Sequence, residues 1–563
     1  MRHSGAELTV QALRAHGVEV VSGLVGDHIL PICDLLPQHG IRLVDVRHDT
    51  AGVHLADGLS RATGLPAVAL TTGGPGFANS IPGLAVASVA GSPVVHISGR
   101  TELATESMGG MQELDQIALA SSVTKNARLV RRPGGIPTAL AEAFRVAMAG
   151  RPGPVHVTIP LDVQQASIDA SEAPVQPPPM PAPPPAASAA VMHALATLQR
   201  AVRPVLIVGG AARYSVQPVA LQQLIEVTGL PLFTVEQARG LISDRHPQCI
   251  GYPDPGLNEA GLLISRADVV FLLGKKQDFR IDFCRPPFVS AGAQVLQADA
   301  DPFEIGRNRA VAVGLVGDLG AVVAQLVAGA ENLAWPDWSS WLHELQEARR
   351  SYRRRLEELS RVDRGTPMHP LSIYRAAEEI LPLDATLLFD VGDFGLWGRA
   401  YMRAEHPGRW YWPGPLGHLG IMLPMALGAK VARQESSVVC FAGDGAVGFY
   451  FMEMDTAVRH NIPIVVVVGN DAAWGIDRTY QLEFYGRLVG TELRPIRYDR
   501  LVAEIGGHGE HVDNPEDLPG ALTRALASKR PALVNVSMRS IPSPSAIWKI
   551  QQVRGQARPQ EQT

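Results

Sequence analysis

Two acidic residues end two segments of the last third of the chain in a pattern that suits metal and phosphate binding. Asp444 lies between Gly443 and Gly445, and Asp471 follows the apolar run IPIVVVVGN, 27 positions later. SSVVCFAG predicts a strand, GDGA a turn, FMEMDTAVRH a helix and IPIVVVV the next strand, so both acids are expected at carboxyl ends of neighbouring parallel strands. Carboxylates suit a hard divalent cation, and flanking glycines let backbone N–H groups approach an anion. The segment therefore predicts a site for a metal ion and a diphosphate.

The elements that must position these acids follow from an alternation of apolar runs and helical patterns. PAVALTT, SPVVHISG and GGIPTALAEAFRVAMAG show it in the first block, and PVLIVGG, ADVVFLLG and AQVLQADA continue it in the second. The alternation predicts an α/β fold of three consecutive doubly wound parallel-sheet domains. Prolines in EAPVQPPPMPAPPPAAS predict an extended linker, and WSSWLHELQEARRSYRRRLEEL predicts a helical connector. The predicted segments are 1–171 for the first domain, 172–188 for the linker, 189–335 for the central domain, 336–368 for the connector, 369–545 for the third domain and 546–563 for a tail.

Composition narrows the function classes. The net charge of -5 and the absence of a long Lys/Arg run argue against nucleic acid or a membrane surface as the main partner. No apolar stretch reaches the roughly 18 residues of a membrane span, and the first residues lack a signal-peptide pattern, so a cytoplasmic location is expected. The four cysteines lack metal-ligand spacing and are expected to be reduced thiols.

Several longer segments resemble one family of enzymes. VRHDTAGVHLADGLSRATG and TTGGPGFANSIPGLAVASVAGSPVVHISG resemble the pyrimidine-binding domain of the thiamine diphosphate (ThDP) enzymes, and PGPLGHLGIMLPMALGAK resembles the start of their diphosphate-binding domain. GDG followed by the Asn470–Asp471 pair resembles their cofactor signature. The likeness covers nearly the whole chain, in the domain order of acetolactate synthase, pyruvate decarboxylase, benzaldehyde lyase and the 2-hydroxyacyl-CoA lyases.

The resemblance implies a set of cofactor residues. Asp444, Asp471 and the carbonyl of Ala473 would bind Mg2+, although most relatives carry Asn where this chain has Asp471. Leu419 would wedge between the two cofactor rings, and Gly417 would offer its carbonyl to the cofactor's amino group. The residues expected near the phosphates are Gly443, Gly445, Ala446, Gly392, Asp393 and Phe394.

A second departure concerns the residue that activates the cofactor. Relatives carry glutamate in the VRHE segment, hydrogen-bonded to N1' of the aminopyrimidine, whereas this chain has Asp49. Aspartate has the right charge but is one methylene shorter, so the backbone or cofactor must move, or a water must bridge. A relative that binds the cofactor without catalysis is therefore a hypothesis of another class.

Substrate clues lie in two loops. His28 and Gln112 match an active-site histidine and glutamine of benzaldehyde lyase, and such a pair suits proton transfer with a substrate hydroxyl. The GDH segment with Asp27 instead resembles the GDY of pyruvate decarboxylases. The closing third, with GNDAAWG and GTEL, again resembles the lyases and would put Glu492 near the site and Trp474 in the acceptor pocket.

The resulting hypothesis is a ThDP- and Mg2+-dependent C–C lyase or carboligase acting on 2-hydroxy ketones or 2-hydroxyacyl-CoA. The alternative is a 2-oxo acid decarboxylase or an acetolactate synthase-like carboligase. Relatives use the central domain for FAD, ADP or nothing, and the sequence leaves these open. Because relatives join the domains of Asp49 and Asp444 across subunits, a homodimer or homotetramer with the site at the subunit interface is expected, with a small carbonyl or acyl-CoA substrate.

Overall fold

The computed structural model describes residues 2–172, 175, 182–362 and 365–557, so residues 173–174 and 176–181 of the predicted linker lie outside the described residues. The chain divides into two compact units. The first comprises Met1–Ala182, Pro413–Glu435 and Tyr450–Ile464, and the second comprises Pro183–Trp412, Ser436–Phe449 and Val465–Thr563. Within these described ranges, every helix is too short or too polar to cross a membrane.

The first unit is built on a six-stranded parallel sheet of order β3-β2-β4-β5-β7-β6, beside an antiparallel β1-β8 pair. The strands are β1 Arg2–Ser4, β2 Val20–Leu24, β3 Arg42–Asp45, β4 Ala67–Thr71, β5 Val94–Arg100, β6 Ala127–Leu129, β7 Val155–Pro160 and β8 Ser167–Asp169. The helices of this segment are α1 Gly5–Ala15, α2 Leu30–Leu35, α3 Asp49–Thr63, α4 Pro75–Ala90, α5 Gln116–Ser121, α6 Ile136–Met148 and α7 Leu161–Gln165. The central strands β4, β5 and β7 are buried along almost their whole length, as parallel strands covered on both faces are.

The second unit holds two more parallel sheets. The strands of the central sheet, of order β11-β10-β9-β12-β13-β14, are β9 Pro204–Val208, β10 Leu232–Thr234, β11 Cys249–Gly251, β12 Val269–Leu273, β13 Gln294–Asp299 and β14 Val313–Val316. The helices here are α8 Ser188–Leu198, α9 Pro218–Thr228, α10 Leu319–Ala330 and the predicted connector, α11 Ser339–Val362. A single apolar core joins residues of this sheet and of the third one, for example Phe233 and Phe441.

The third sheet, of order β16-β15-β17-β18-β20-β19, carries the two acids. Its strands are β15 Thr386–Phe389, β16 Trp410–Tyr411, β17 Val438–Gly443, β18 Val465–Asn470, β19 His508–Val512 and β20 Ala532–Ser537. The remaining helices are α12 Pro370–Ile380, α13 Asp393–Tyr401, α14 Met422–Ala432, α15 Asp444–Tyr450, α16 Glu453–Arg459, α17 Gly475–Tyr485, α18 Tyr498–Glu504, α19 Leu518–Ala527 and α20 Pro544–Ala557. Three parallel sheets with helices confirm the predicted fold class.

The turn predicted directly after β17 was wrong, whereas the helix predicted beyond it is present. GDGA is not a free turn, because α15 begins at Asp444 itself, where an acidic side chain suits the positive end of a helix. The predicted helix FMEMDTAVRH is present as α16, which begins two residues into that segment, after Phe451 and Met452. Gly392, one of the residues expected near the phosphates, leads directly into α13, which begins at Asp393.

Two glycines let α3 and α14 pack closely within the first unit. A Cβ added to Gly58 would lie 2.2 Å from the carbonyl oxygen of Met425, and one added to Gly428 would lie 2.0 Å from that of Leu55. Any larger residue would force the two helices apart. This contact joins the helix that begins at Asp49 to the helix that follows Leu419.

Candidate active site

The two acids of the predicted metal site follow adjacent strands in the second unit. β17 pairs with β18 in parallel, with Gly443 opposite Gly469, so Asp444 and Asp471 stand at the same edge of the sheet. The predicted placement of both acids at carboxyl ends of neighbouring strands is thus confirmed. This edge is where open α/β sheets bind ligands.

The Asp444 carboxylate is buried without compensation. The side chain is 2% exposed, and neither oxygen has a hydrogen-bond partner in the described part of the chain. Burial, and then the neighbouring charge of Asp471, raise the pKa of Asp444 to about 8. Burial also raises the pKa of Asp471. Adjacent desolvated carboxylates with unused oxygens fit a divalent cation, whose charge would offset the repulsion between them.

The third predicted metal ligand lies in a short, constrained segment after β18. Ala472 has a left-handed backbone, with φ of 53°, and turns the chain so that Ala473 pairs with Glu492 in an antiparallel bridge. The N–H of Trp474 donates to the carbonyl of Thr491 at 2.9 Å. Asp471, Ala473 and Glu492 line one cavity of about 590 Å³. The structure therefore brings Glu492, an exposed side chain, to the cavity of the candidate metal ligands.

Gly392 and the first two residues of α13, Asp393 and Phe394, were predicted to lie near the phosphates. Gly392 has φ of 105°, and a Cβ added there would meet nothing within 4 Å, which leaves its backbone open to a ligand. Asp393 is buried and accepts a hydrogen bond from the N–H of Ser543 at 2.9 Å, while burial raises its pKa to about 6. The Phe394 side chain instead packs in the core, where a Cβ on Gly469 would lie 2.7 Å from its ring. Only the backbone of Phe394 is left for a phosphate role.

The GDG segment and Trp474 are in direct contact. A Cβ added to Gly445 would lie 2.6 Å from the Trp474 ring, so glycine is required for the ring to pack there, whereas one on Gly443 would meet nothing within 4 Å. Trp474 also lies edge-on to Phe449, with ring centroids 6.2 Å apart, and Ala446 is buried at the start of α15. The ring of Trp474 therefore supports the segment that carries Asp444.

Asp49 is the first residue of α3 in the first unit, and its side chain is buried rather than solvated. It is 5% exposed, and its Oδ2 accepts a hydrogen bond from the Asn79 amide at 3.1 Å. Its Oδ1 has no partner among the described residues, and a Cβ on Gly76 would lie 3.0 Å from that oxygen. Asp49 thus keeps one buried oxygen for a further hydrogen bond.

Glu453 of α16 supports the chain just before Asp49, and sequence reasoning did not single it out. The N–H of Arg47 donates to Glu453 at 3.1 Å, and the Thr456 hydroxyl donates to Glu453 at 2.7 Å. Burial raises the pKa of Glu453 to about 7. Its only signal in the sequence is its place in the segment between Asp444 and Asp471.

The structure places His28 and Gln112 against the same glycine turn. A Cβ on Gly73 would lie 3.0 Å from the His28 Nδ1 atom, and one on Gly74 would lie 2.5 Å from the Cβ of Gln112. Gln112 holds a left-handed backbone with φ of 63°. Close approach on both sides explains why two glycines occupy the turn.

The surroundings of His28 favour a neutral imidazole. The side chain is 9% exposed, and this burial lowers its pKa, although Asp27 and Glu102 oppose the shift. Its Nδ1 lies 3.4 Å from the Thr72 hydroxyl, and its carbonyl accepts a hydrogen bond from Gln164 at 2.7 Å. Asp27, by contrast, has an exposed side chain.

Gln116 is a further residue that sequence reasoning missed. Its side chain is 2% exposed, accepts a hydrogen bond from the N–H of Gly74 at 3.3 Å, and donates to Ser98 and Thr158 at 2.7 and 3.1 Å. It therefore ties the glycine turn to strands β5 and β7. The glutamine predicted for the site, Gln112, lies four residues earlier, in the turn before α5, and is less buried.

The loop before α14 carries Gly417 and Leu419, both assigned to the cofactor rings. Gly417 has φ of 66° with nothing within 4 Å of an added Cβ, and Leu419 is half-buried. The ring of His418, between them, lies 5.6 Å from that of the buried His54. An exposed glycine backbone and an available apolar side chain agree with the predicted roles.

A buried carboxylate pair beside a glycine-flanked sheet edge, in a chain with three parallel α/β sheets, fits the class of enzymes that bind a diphosphate cofactor. Family models for thiamine pyrophosphate enzymes match three parts of the chain: the N-terminal TPP binding domain over residues 3–119, the central domain over 191–326 and the C-terminal TPP binding domain over 390–536. The chain belongs to the thiamine pyrophosphate enzyme family, whose cofactor is the ThDP expected above.

Relatives of this chain include acetolactate synthases and 2-hydroxyacyl-CoA lyases. The chain is 34% identical to a probable acetolactate synthase of Mycobacterium bovis over 535 residues, which cover 95% of each protein. It is 31% identical to an acetolactate synthase large subunit of Parasynechococcus marenigrum, covering 95% of this chain and 88% of that protein. It is also 31% identical to human 2-hydroxyacyl-CoA lyase 2, covering 90% of this chain and 85% of the relative.

Proposed function

We propose that the protein is a ThDP- and Mg2+-dependent lyase that reversibly cleaves or joins the C–C bond next to a carbonyl in 2-hydroxy ketones or 2-hydroxyacyl-CoA esters. The observation that carries the proposal is the buried, neutral His28 beside the Gly73–Gly74 turn that also contacts Gln112. A relative named 2-hydroxyacyl-CoA lyase supports the substrate class.

The cofactor would be held by residues whose carboxylate oxygens or backbone groups are available for binding. Asp444, Asp471 and the Ala473 carbonyl would bind Mg2+, and the open backbones of Gly392 and Gly443 suit the diphosphate. When bound, ThDP supplies a nucleophilic carbon and an electron sink for the substrate carbonyl. Asp49 would accept or donate a hydrogen bond at the aminopyrimidine through its unpartnered oxygen.

His28 would move the proton on which a lyase depends. Cleavage of a 2-hydroxy carbonyl compound requires removal of the hydroxyl proton, and a neutral imidazole can accept it at an open ring nitrogen. Thr72 and Gln164 hold the imidazole and its backbone in place. Gln112 would hydrogen-bond the substrate oxygen and orient it.

A second candidate is a 2-oxo acid decarboxylase or an acetolactate synthase-like carboligase. It is favoured by the relatives named acetolactate synthase and by the exposed carboxylate of Asp27 next to His28. A decarboxylase loses CO2 without removing a hydroxyl proton, and needs an acid only afterwards. The two candidates therefore differ in their dependence on His28.

The test compares His28→Ala with its neighbour Asp27→Ala. In the lyase, His28→Ala slows formation of 2-hydroxy ketones or 2-hydroxyacyl-CoA from small aldehydes at least tenfold, about 1.4 kcal/mol of barrier, whereas Asp27→Ala has a smaller effect. Both variants are also incubated with pyruvate and other 2-oxo acids. Rapid CO2 release that survives His28→Ala but not Asp27→Ala would overturn the lyase and establish the second candidate.

A further inference from the structure

An arginine-lined cleft in the second unit has no part in the proposed reaction. It encloses about 540 Å³ between α11, the β11 region and the end of α13. Eight arginines line it, against a single carboxylate, Asp244. Four of the arginines come from the RRSYRRR segment of α11, namely Arg349, Arg350, Arg353 and Arg354. We call this feature the arginine cleft.

Helical spacing explains how one element supplies so much positive charge. In α11, Arg349, Arg350, Arg353 and Arg354 recur one turn apart and share a face, while Leu345, Tyr352 and Leu356 are buried in the core. The apolar side fixes the helix, and the basic side faces the cleft. The segment therefore does more than connect two domains.

Part of the charge is already compensated. Arg239 and Asp244 form a buried ion pair, and Arg245 pairs with Glu405 at 2.9 Å. Arg350 pairs with Glu347 at 2.8 Å, and Arg354 lies 3.9 Å from the same glutamate. Arg353 pairs with Glu357 at 2.7 Å and also with Glu378. The carboxylate partners of these arginines weaken their electrostatic attraction for an anionic ligand.

Three lining arginines are not compensated in this way. Arg349, Arg399 and Arg403 have no carboxylate within ion-pair distance in the described ranges, although the charge of Arg349 helps to lower the pKa of the nearby Asp244. Arg399 is 5% exposed, and its Nη2 atom has no hydrogen-bond partner there. Its guanidinium lies 5.1 Å from the Tyr252 ring and 4.4 Å from the Trp412 ring. A desolvated cation without a carboxylate makes the cleft strongly attractive to anions.

The shape and donors of the cleft identify the ligand class. One guanidinium group can donate two parallel hydrogen bonds to the oxygens of a phosphate. Several arginines around one cleft therefore suit a ligand with more than one phosphate. Arg353 covers the Tyr401 ring at 3.9 Å, and Arg239 and Arg399 cover that of Tyr252, so these aromatic faces are not free for a base. The volume suits a nucleotide-sized molecule.

We propose that the arginine cleft binds an anion carrying two or more phosphate groups, recognised through those phosphates. Such groups belong to free polyphosphates and nucleotides and also to the nucleotide part of coenzyme A. The inference is independent of the proposed reaction, because none of the residues assigned to catalysis lines the cleft.

The test is titration calorimetry of the holoenzyme with inorganic triphosphate, ATP and coenzyme A. Saturating ThDP and Mg2+ are present so that the cofactor site is filled. The expected result is binding that weakens at least tenfold in the Arg349→Gln/Arg403→Gln double variant. Tighter binding of coenzyme A than of triphosphate identifies the thioester carrier as the source, whereas equal binding identifies free polyphosphate or nucleotide.

Matched single variants guard against misfolding of the double variant. Arg350 and Arg355 are both 50% exposed on α11 and both form a surface ion pair, but only Arg350 lines the cleft. Arg350→Gln should weaken triphosphate binding severalfold, and Arg355→Gln should not change it. Absence of binding by all three compounds, or equal effects of Arg350→Gln and Arg355→Gln, would overturn the proposal.

Discussion

At the scale of single residues, two of the carboxylates assigned to the cofactor are buried with oxygens that lack a hydrogen-bond partner among the described residues. Asp444 has two buried oxygens and Asp49 one buried oxygen without a hydrogen-bond partner in the described structure. Leaving such atoms unpaired costs free energy, about 1–3 kcal/mol for a group and more when it is charged. A bound cation and a bound ring nitrogen would remove that cost, so cofactor binding should stabilise the fold.

Replacing Asp444 tests the metal site. Asp444→Ala should abolish the rise in melting temperature that ThDP and Mg2+ give the wild type, since a ligand stabilises in proportion to its affinity. Differential scanning fluorimetry with and without cofactor measures it. Asp471→Asn is the matched variant and should keep the rise, because an amide oxygen can still bind the cation. An undiminished rise in Asp444→Ala would refute the assignment.

Replacing Asp49 separates an enzyme from an inactive binder. Asp49→Ala should retain ThDP but slow exchange of its C2 proton by roughly 100- to 10,000-fold, the usual worth of acid–base assistance. Proton NMR after quenching in D2O follows this exchange. Wild-type exchange no faster than that of free ThDP would contradict a catalytic role. Asp49→Glu shows whether the shorter side chain is a compromise, in which case the rate rises, or is matched to its pocket, in which case it falls.

At the scale of elements, the sequence predicted those parts that depend on local pattern. The buried strands β17 and β18 and the acids after them follow from apolar runs that end in GDG and GND. The start of α15 at Asp444, the burial of Phe394 and the role of Glu453 depend on contacts between residues far apart in sequence. Arg47 and Glu453, for example, are separated by 406 positions, and no periodicity connects them.

The support that α16 gives to the start of α3 predicts a pH effect. The pKa of Glu453 is raised from 4.5 to about 7, so its contribution to stability is complete below the unfolded value and is lost as pH rises through 7. The glutamine side chain of Glu453→Gln stays neutral at every pH. The free energy of unfolding of this variant, relative to wild type, should therefore rise by about 1–3 kcal/mol between pH 5 and pH 8. Urea unfolding at several pH values measures the difference.

The control for that experiment is Asp455→Asn on the same helix, which removes a more exposed carboxylate paired with Arg459. Its effect should not become more favourable as pH rises. A constant difference in stability between Glu453→Gln and wild type over the same pH range would contradict the role of burial at Glu453.

Exchange of the ThDP C2 proton should also slow in Glu453→Ala, because the Arg47 N–H loses its acceptor just before Asp49.

At the scale of the whole molecule, the residues assigned to one reaction are divided between two compact units. Asp49, His28 and Leu419 belong to the first, and Asp444, Asp471 and Trp474 to the second. We expect the working enzyme to be a homo-oligomer in which each site combines the first unit of one subunit with the second unit of another. A two-fold symmetric dimer would then contain two such sites.

Mixing inactive subunits tests this arrangement directly. Asp49→Ala and Asp444→Ala subunits are each inactive alone, but a mixed dimer has one site built from the intact Asp49 of one chain and the intact Asp444 of the other. Random exchange of equal amounts makes half of the dimers mixed, each with one working site of two, so about a quarter of wild-type activity should return. Size-exclusion chromatography with light scattering confirms assembly of the mixture. If each site is formed within a single chain, every site in the mixture lacks one acid, and activity stays at the level of the separate variants.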